Sequence, residues 1–449
     1  MSDLDDFIES FPDVFKNLDR IVEFCPIEKC PIETETGVVI VKRGSVVPQA
    51  EGGQAEEYLK DLLDRKVIRK STSQWRNPIR FIEKPNGGLR LVSNLMALND
   101  AVKKDSYAIP TMREIYTTTQ GCKWFTVIDM KEAYYYIENV ECDKCKTAFE
   151  FKGQVYEWNG MVMGFKNSPM VMQRTMDRIF EGMIRKNVMV YLDDIIIFDK
   201  DLDQHKKNIE KVIRLLSDNN FRVNPAKIQF CQNEAKVLGM VVNGEEKVAM
   251  NEKKKEIQEN EKPKCIKDLR SFLGSIGWFR GFIKDFANKT ESLTEGLKIN
   301  KKWKWTESMN NEFINLKQEI SDMENLYLPD YKKPFVLRTD ASNTGIGAVL
   351  YQFREKGEER PIEWASKKLT ATEARYGISE KKMFAIYWAL KNFEYELRGC
   401  KFKLETDHKA LIEMRKRPQF NNNRINRGIE LIQEFDFEIV YVKGVKADQ

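Results

Sequence analysis

The chain has 449 residues, which at roughly 150 residues per domain predicts about three domains. It is 42% hydrophobic and 32% charged, which is typical of a globular protein whose cores need no disulfides. The net charge is only +5, so bulk charge does not indicate a nucleic-acid partner and any basic surface must be local. No run of about 18 apolar residues occurs, and we therefore predict no membrane span. The acidic first segment also lacks the apolar stretch of a signal peptide.

Histidine is scarce, and this limits the chemistry that the chain can carry. The two histidines, His205 and His408, are too few for a histidine-rich metal site, and His408 would be the only plausible base of a Ser–His–Asp triad. The eight cysteines include two close pairs, Cys25 with Cys30 and Cys142 with Cys145. A zinc site needs four ligands, so reduced thiols are the preferred interpretation. Carboxylates are therefore the predicted metal ligands.

Short apolar segments separated by turn signals dominate the first half of the chain. Apolar residues between 58 and 63 recur at helical spacing. Residues 79–94 predict a β-hairpin with its turn at 85–88. Three buried strands are predicted at 125–128, 188–192 and 195–198.

The second half of the chain begins with helices and ends with strands. Amphipathic helices are predicted at 205–216, 266–276 and 313–320. Strands return at 336–342, 345–352, 402–407 and 437–442, with a long helix at 380–397 among them. This order indicates an α+β first part, a helical middle and an α/β last part.

Three acidic residues stand at the ends of the predicted buried strands. Asp129 follows the strand at 125–128, and Asp193 and Asp194 lie in the tight turn between the next two strands. Three carboxylates gathered at one end of a sheet would repel one another unless cations were bound. Two Mg²⁺ ions about 4 Å apart would satisfy that charge and would suit phosphoryl transfer. For an isolated Asp-Asp pair, a solvated turn is the alternative.

The segment Tyr191-Leu192-Asp193-Asp194 resembles the YxDD box of reverse transcriptases. Similar boxes of that family are found at 11–15, 128–134, 147–149, 164–169, 224–239, 270–274 and 305–307. Together they resemble the reverse transcriptase–RNase H portion of a gypsy-type LTR retrotransposon Pol polyprotein. The resemblance implies an α+β right-hand polymerase, with fingers, palm and thumb, followed by an α/β RNase H-like domain. The implied boundaries are 1–50 for an N-terminal extension, 51–240 for fingers and palm, 241–325 for thumb and linker, and 326–449 for the RNase H-like domain.

The resemblance implies metal-binding and triphosphate-binding roles in the first site. Asp129 and Asp193 are implied to bind both metal ions, with Asp194 in a lesser role. Lys84 and Arg90 would contact the triphosphate of the incoming nucleotide, because a cationic pair suits a leaving pyrophosphate. Two exposed basic residues on a hairpin are the alternative.

Further roles concern the sugar of the nucleotide and the end of the primer. Tyr134 lies where the family places a bulky ring under the sugar, which would exclude a 2′-hydroxyl, and Met163 would lie beside the nucleotide. Leu238, Gly239 and Met240 would form the primer grip through backbone contacts. The alternatives are that Tyr134 is a core tyrosine, that Met163 is a core methionine and that residues 238–240 form a plain hairpin.

Residues 335–448 resemble a retroelement RNase H domain through the boxes around Asp340, Asp407 and Asp448. These carboxylates are implied to bind Mg²⁺ and to activate water against an RNA phosphodiester. Lys382 occupies the position of the family's catalytic Glu. Glu380 lies two residues earlier, roughly 200° around a helix, and should face elsewhere. We therefore expect an impaired RNase H site, unless a shifted helix start lets Glu380 reach in.

The predicted function is that of a DNA polymerase that copies RNA and DNA templates from a primer. The implied cofactor is Mg²⁺, two ions per active site, with Mn²⁺ as a substitute. The implied partners are RNA–DNA hybrid and DNA duplex template–primers and deoxynucleoside triphosphates, with no membrane, for a monomer or a homodimer. The implied location is the cytoplasm, in a virus-like particle. The alternatives are a domesticated, non-catalytic nucleic-acid binder that kept the fold and a protein that is only a nuclease.

Overall fold

The structure is a computed structural model that describes residues 3–15, 21–42, 52–83, 88–298, 303–354, 357–408 and 423–443. The chain divides into two compact units, Met1–Ala235 and Lys236–Gln449, and each unit has a hydrophobic core of its own. The finer division into four domains stays a prediction. Among the described helices, none combines the length and the apolar character that a bilayer crossing requires.

The first unit contains seven described α-helices and nine described strands. The helices are α1 (Asp3–Ser10), α2 (Pro12–Phe15), α3 (Gly52–Asp64), α4 (Met96–Ala101), α5 (Met112–Thr118), α6 (Ser168–Ile179) and α7 (Leu202–Asp218). The strands are β1 (Ile68–Lys70), β2 (Ile79–Glu83), β3 (Leu89–Ser93), β4 (Trp124–Asp129), β5 (Phe149–Phe151), β6 (Gln154–Trp158), β7 (Val188–Tyr191), β8 (Asp194–Asp199) and β9 (Gln229–Gln232). The predicted helix near 58–63 and the three predicted buried strands are confirmed.

The central sheet of the first unit has the strand order β7-β8-β4-β9, with antiparallel neighbours. Strands β4 and β8 are almost entirely buried, which explains why both are continuous apolar runs. The turn between β7 and β8 is tight, and Leu192 within it has a positive φ of 58°. Helix α7 packs on this sheet through the apolar stripe that predicted it, and Asp201 caps its first turn by accepting from the Gln204 N–H.

Two smaller sheets complete the first unit. Strands β2 and β3 form the predicted hairpin, with Ile79 opposite Ser93 and Glu83 opposite Leu89. Of the predicted turn at 85–88, residues 85–87 lie outside the described residues. The other sheet has the order β1-β6-β5.

The second unit begins at a four-stranded sheet and continues with helices. The strands are β10 (Ala235–Val237), β11 (Met240–Val242), β12 (Glu246–Ala249) and β13 (Leu326–Tyr327), in that spatial order. The helices between β12 and β13 are α8 (Asn251–Glu259), α9 (Ile266–Gly277), α10 (Phe286–Lys289), α11 (Glu291–Glu295) and α12 (Glu307–Asp322). This arrangement confirms the predicted helical middle of the chain.

The last part of the second unit is a five-stranded sheet with helices. Its elements are β14 (Phe335–Ala341), β15 (Gly345–Phe353), β16 (Glu359–Lys368), α13 (Ile378–Asn392), α14 (Glu394–Leu397), β17 (Lys401–Thr406), α15 (Asn423–Ile432) and β18 (Asp436–Tyr441). The spatial order is β16-β15-β14-β17-β18, in which β14, β17 and β18 run parallel. The predicted α/β last part is confirmed. The predicted long helix at 380–397 is divided into α13 and α14.

Strand β16 was not predicted from the sequence. It is charged and contains Pro361, which lacks the N–H that an inner strand would donate. Pro361 is tolerated because β16 is an edge strand and because the register shifts beside it, at Leu350 and Tyr351 of β15.

Candidate active sites

The three predicted carboxylates of the first site meet at one edge of the central sheet. Asp129 ends β4, Asp194 begins β8, and the two residues are directly paired across the antiparallel ladder. Asp193 lies in the preceding turn, and its backbone oxygen accepts a hydrogen bond from the Met130 N–H at 3.3 Å. The apolar β4 and β8 segments thus bring together carboxylates that are more than sixty positions apart in the sequence.

The charges at this edge are mutually unfavourable. Burial, together with the neighbouring charges of Asp194 and Asp129, raises the pKa of Asp193 to about 6. Burial and the charge of Asp129 also raise the pKa of Asp194. The Oδ1 atom of Asp193 is buried and has no hydrogen-bond partner among the described residues. Such an oxygen is costly to bury alone, and a cation would satisfy it.

Lys227 provides a positive charge at this site in the metal-free chain. Its Nζ atom lies 3.2 Å from Asp129 Oδ1 and 3.3 Å from Oδ2. The short turn that carries Lys227 is anchored to the same aspartate, because the Asn224 N–H donates to the Asp129 backbone oxygen at 3.2 Å. The resemblance included Lys227 in a box but gave it no role. Nothing in the local sequence could have indicated this pairing, because the two residues are 98 positions apart.

A cavity of about 260 Å³ adjoins the carboxylates. Five of the residues with predicted roles are among those that line it: Arg90, Asp129, Tyr134, Met163 and Asp193. Of the other two residues with predicted roles at this site, Asp194 is not among the residues that line the cavity, and Lys84 lies outside the described residues. The wall also contains Lys227 and the loop that follows Asp129.

An ion pair with a buried arginine holds the loop between Asp129 and Tyr134. Glu132 has a positive φ of 50°, which is uncommon for a residue with a side chain. Its carboxylate lies 2.6 Å from the guanidinium of Arg65, which is only 5% exposed and also pairs with Asp61 at 3.3 Å. Sequence reasoning missed Arg65, because its partner is 67 positions away. Directly after Glu132, a 3₁₀ turn at Ala133–Tyr136 presents Tyr134 to the cavity.

The residues of the first site fit divalent cations. The buried, unpartnered Asp193 oxygen and the mutual repulsion of the carboxylates both favour cation binding. Asp129 and Asp193 would hold the cations, with Asp194 beside them. Within the described ranges, no three carboxylate, imidazole or thiol groups are already arranged as a complete metal site. Lys227 is instead paired with Asp129.

The predicted primer-grip residues lie in the second unit. Leu238 and Gly239 form the two-residue turn between β10 and β11, with φ values of 50° and 86°. A side chain at Gly239 would meet Lys253, because an added Cβ would lie 2.5 Å from its Cε and Nζ atoms. Lys253 itself lies over the Trp278 ring, with its Nζ atom 3.9 Å from the ring centroid. Met240 begins β11, and both the primer-grip role and the plain hairpin stay open.

The second site contains a lysine between two aspartates. Asp340 lies near the end of β14, and Asp407 directly follows β17. Arg338 and Glu405 are paired across these parallel strands, and each aspartate lies two residues beyond its member of that pair. The Nζ atom of Lys382, on α13, is 2.5 Å from Asp340 Oδ1 and 2.7 Å from Asp407 Oδ1. Burial opposes the charge of Lys382, but its hydrogen bond to Asp340 and its ion pair with Asp407 outweigh this effect and raise its pKa.

Glu380 does not take the place of the missing carboxylate in this structure. Its Oε2 atom accepts a hydrogen bond from the Gly377 N–H at 2.8 Å, and it thereby caps the first turn of its own helix. The predicted third carboxylate, Asp448, lies outside the described residues. Asp340 also borders a cavity of about 290 Å³ on the sheet, which Arg338 and Trp364 line as well.

Comparison with known proteins identifies both parts of the chain. Residues 78–242 match the family model described as reverse transcriptase (RNA-dependent DNA polymerase). Residues 330–435 match the model for the RNase H-like domain found in reverse transcriptase. The chain therefore carries a reverse transcriptase domain followed by an RNase H-like domain. It belongs to the reverse transcriptase family, and its relatives include polyproteins of transposons.

Curated relatives include transposon polyproteins of a fruit fly and of fission yeast. The retrovirus-related Pol polyprotein from transposon opus of Drosophila melanogaster is 33% identical, over 98% of this chain and 46% of that protein. The transposon Tf2-3 polyprotein of Schizosaccharomyces pombe is 30% identical, over 96% of this chain and 34% of that protein. The chain thus spans less than half the length of these relatives. The gypsy-type subtype stays a prediction.

Solved structures with the same fold include foamy viral protease-reverse transcriptases. One, in complex with double-stranded DNA, has a TM-score of 0.87 at 22% identity and covers 98% of this chain and 93% of that chain. Another, in complex with RNA/DNA hybrid, has a TM-score of 0.83 at 21% identity and covers 98% of this chain and 60% of that chain. These likenesses confirm the predicted fold class.

Proposed function

We propose that this chain is an RNA- and DNA-templated DNA polymerase with an attached RNase H-like domain. One observation carries the proposal: Asp129, Asp193, Arg90, Tyr134 and Met163, which come from distant positions in the chain, line a single cavity. Carboxylates that need cations, a guanidinium and an aromatic ring together suit a metal-bound nucleoside triphosphate. The reverse transcriptase family model covers all five residues.

Each side chain of this cavity would have a distinct task. Asp129 and Asp193, with Asp194 nearby, would hold two divalent cations, Mg²⁺ or Mn²⁺. Such ions, when bound, activate the primer hydroxyl and neutralise the leaving pyrophosphate. Arg90 would bind the triphosphate, and Lys84 would share this task. The buried, paired strands β4 and β8 keep the carboxylates in place before any ligand binds.

Lys227 would contribute a mobile charge to the same cavity. Its side chain is 60% exposed and touches Asp129 from the solvent side, so it can move away when a cation arrives. Until then it offsets part of the repulsion among the carboxylates. The site would therefore stay folded without metal and would still accept metal.

Tyr134 would select deoxynucleotides and Met163 would lie beside the base or sugar. The Tyr134 ring is partly buried in the cavity wall, and the Arg65–Glu132 pair supports the loop on which it stands. A ring fixed in this way would clash with a 2′-hydroxyl. Leu238, Gly239 and Met240 would form the primer grip, which suits the backbone-exposing turn that they adopt.

The proposed nucleic-acid partners are RNA–DNA hybrid and DNA duplex template–primers. Support comes from the foamy viral enzymes, which are described with double-stranded DNA and with RNA/DNA hybrid. Lys264, Lys267 and Arg270, on and just before α9, are candidate backbone contacts, although Lys264 also pairs with Glu261 at 2.7 Å. The domain boundaries predicted above, a monomeric or homodimeric state and a cytoplasmic virus-like particle complete the proposal. The RNase H-like site is proposed to be impaired by Lys382.

A primer-extension assay tests the polymerase proposal. The full chain is expected to extend a DNA primer on an RNA template in the presence of Mg²⁺ and deoxynucleoside triphosphates. Asp193→Asn removes a carboxylate from the metal-binding set, so we expect extension to fall by at least on the order of 10²-fold. Asp203→Asn is the matched control, because Asp203 is exposed in the first turn of α7, at the other end of β8 from Asp194.

The same assay separates the proposal from its alternatives. If the unmodified chain bound an RNA–DNA hybrid but did not extend the primer, the polymerase proposal would be contradicted and the non-catalytic nucleic-acid binder would be favoured. Equal extension by the Asp193 and Asp203 variants would also contradict it, because the activity would then not depend on the proposed site.

A further inference from the structure

The two acidic sites of the chain are neutralised by lysines of very different character. In the first unit, Lys227 is 60% exposed at its side chain and touches one aspartate at 3.2 Å. In the second unit, the Lys382 side chain is only 10% exposed and touches two aspartates, at 2.5 and 2.7 Å. An exposed lysine can return to water at little cost. A buried lysine that moves away leaves the charges of its carboxylate partners uncompensated.

The position of Lys382 is fixed by the packing of its helix. Helix α13 packs against the sheet through Met383, Ile386 and Leu390, which belong to the same core as Leu337 of β14 and Leu404 of β17. The strands that carry this core also carry Asp340 and Asp407 at their ends. The packing of the core therefore places the backbone of Lys382 next to the carboxylates, and its side chain is buried there.

The ammonium group of Lys382 already lies against both aspartates and offsets part of their charge. Two carboxylates and one ammonium leave a net charge of −1 where a carboxylate at position 382 would leave −3. Asp340 Oδ1 also accepts the Ala341 N–H at 2.7 Å, so this oxygen already has two donors. A divalent cation bound by both aspartates would have to lie beside a buried ammonium group, and like charges at that distance repel.

We propose that Lys382 is the resident cation of the RNase H-like site, whose ammonium group holds Asp340 and Asp407 together in place of a divalent metal ion. The residues described here therefore do not fit the metal that such domains use. The carboxylates stay paired without metal, and the site does not cleave the RNA of a hybrid. The inference rests on the proposed assignment of Asp340 and Asp407 as the RNase H-like site.

Magnesium-dependent stability of Lys382 variants tests this inference. Lys382→Met keeps the length of the side chain and removes the charge, so the two aspartates should become able to bind Mg²⁺. Between EDTA and about 10 mM Mg²⁺, we expect Tm of this variant to rise by on the order of 3 °C more than Tm of the unmodified chain. Lys382→Gln, which keeps a polar group without the charge, should show the same extra rise and guards against a packing defect in the first variant.

Lys381→Met is the matched control for these variants. Lys381 is the neighbouring buried lysine on α13, but its Nζ atom bonds Asn343 Oδ1 at 3.0 Å and not the aspartates. All variants keep the carboxylates of the first unit, so Mg²⁺ bound there contributes equally to every shift. The Lys381 variant should show the same Mg²⁺ response as the unmodified chain. The inference would be overturned if neither Lys382 variant showed a larger Mg²⁺-dependent rise in Tm than the Lys381 variant.

Hybrid cleavage by the unmodified full chain gives a second and independent arm. With Mg²⁺ and an RNA–DNA hybrid but no deoxynucleotides, we expect the RNA to remain intact. Cleavage that disappears in Asp340→Asn would overturn the inference while leaving the polymerase proposal untouched. Failure of the chain to extend a primer would contradict only the proposed polymerase, because the Mg²⁺ shifts of the Lys382 variants are measured without template or nucleotide.

Discussion

Asp193 carries the least favourable charge of the first site when metal is absent. It lies between two other carboxylates, is largely buried, and has one oxygen without a hydrogen-bond partner in the described part of the chain. Its pKa is raised from 3.8 to about 6. The folded state therefore binds a proton over a pH range in which the unfolded state does not. By linkage, this residue lowers stability as pH rises from about 4 to about 6 and costs stability at all higher pH.

Asp193→Asn is therefore expected to stabilise the metal-free protein at neutral pH. In EDTA at about pH 7, we expect its free energy of unfolding to exceed that of the unmodified chain by about 1–2 kcal/mol, after allowance for partial exposure. The difference should vanish below about pH 4, where the aspartate is protonated in both states. Urea unfolding across this pH range measures it. Asp203→Asn should change stability by no more than about 0.5 kcal/mol. A pH-independent effect of Asp193→Asn would contradict the assignment of the raised pKa.

Tyr134 decides sugar selection if the proposed function is right. Tyr134→Ala removes the ring from the cavity wall and should increase the incorporation of ribonucleotides relative to deoxynucleotides by on the order of 10-fold or more. Tyr134→Phe is the control, because it keeps the ring and should leave the preference unchanged. Single-nucleotide extension with matched ribo- and deoxynucleotides measures the ratio. An unchanged ratio in the alanine variant would mean that Tyr134 is only a packing residue.

At the scale of elements, a buried polar network ties the central strands to α7. The ring of His205, fully buried on α7, lies with Nδ1 2.8 Å from Asp199 Oδ2 and with Nε2 2.9 Å from Thr126 Oγ1. Asp199 ends β8 and Thr126 lies in β4, so the histidine bridges the two strands whose other ends carry the carboxylates. Asn208 also donates to Asp199 at 2.8 Å. A network with every group satisfied favours one strand register over its neighbours.

His205→Ala is expected to destabilise the first unit by about 2–4 kcal/mol. The change opens a cavity and leaves Asp199 and Thr126 without one of their buried partners. Chemical unfolding measures the loss. Arg214→Ala is the control on the same helix, because Arg214 is exposed. Loss of its pair with Glu210 one turn away and of its contact with the Phe11 ring should cost no more than about 1 kcal/mol. Equal losses in the two variants would show that the network contributes little.

At the scale of the whole molecule, each compact unit carries one acidic site on its own sheet. In both sites, carboxylates lie where buried strands end. Their negative charge is offset by an exposed lysine in the first site and by a buried lysine in the second. Each site keeps one buried aspartate oxygen without a hydrogen-bond partner among the described residues, Asp193 Oδ1 in the first and Asp407 Oδ1 in the second, but the lysine of the first site is exposed and can move away when a cation binds. The second site has its cation built into the core. The first unit, whose acidic site favours cation binding, contains most of the residues that match the reverse transcriptase family model.

The sequence by itself determined the main buried strands, the amphipathic helices and the family. Apolar runs such as 125–128 and 195–198 and the spacing in α7 predict local structure, because periodicity depends only on near neighbours. It also identified Lys382 as a departure from the RNase H pattern. Strand β16 escaped prediction because its charges and Pro361 suit only an edge position, which local sequence does not reveal.

Only the tertiary structure decided which charges meet. Lys227 with Asp129, and Arg65 with Glu132, join residues 98 and 67 positions apart, and no local pattern links them. It also decided that Lys382 contacts both aspartates and that Glu380 is used as a helix cap. The physical reason is that an ion pair depends on a few ångströms of distance and on burial, and both are set by how the elements pack.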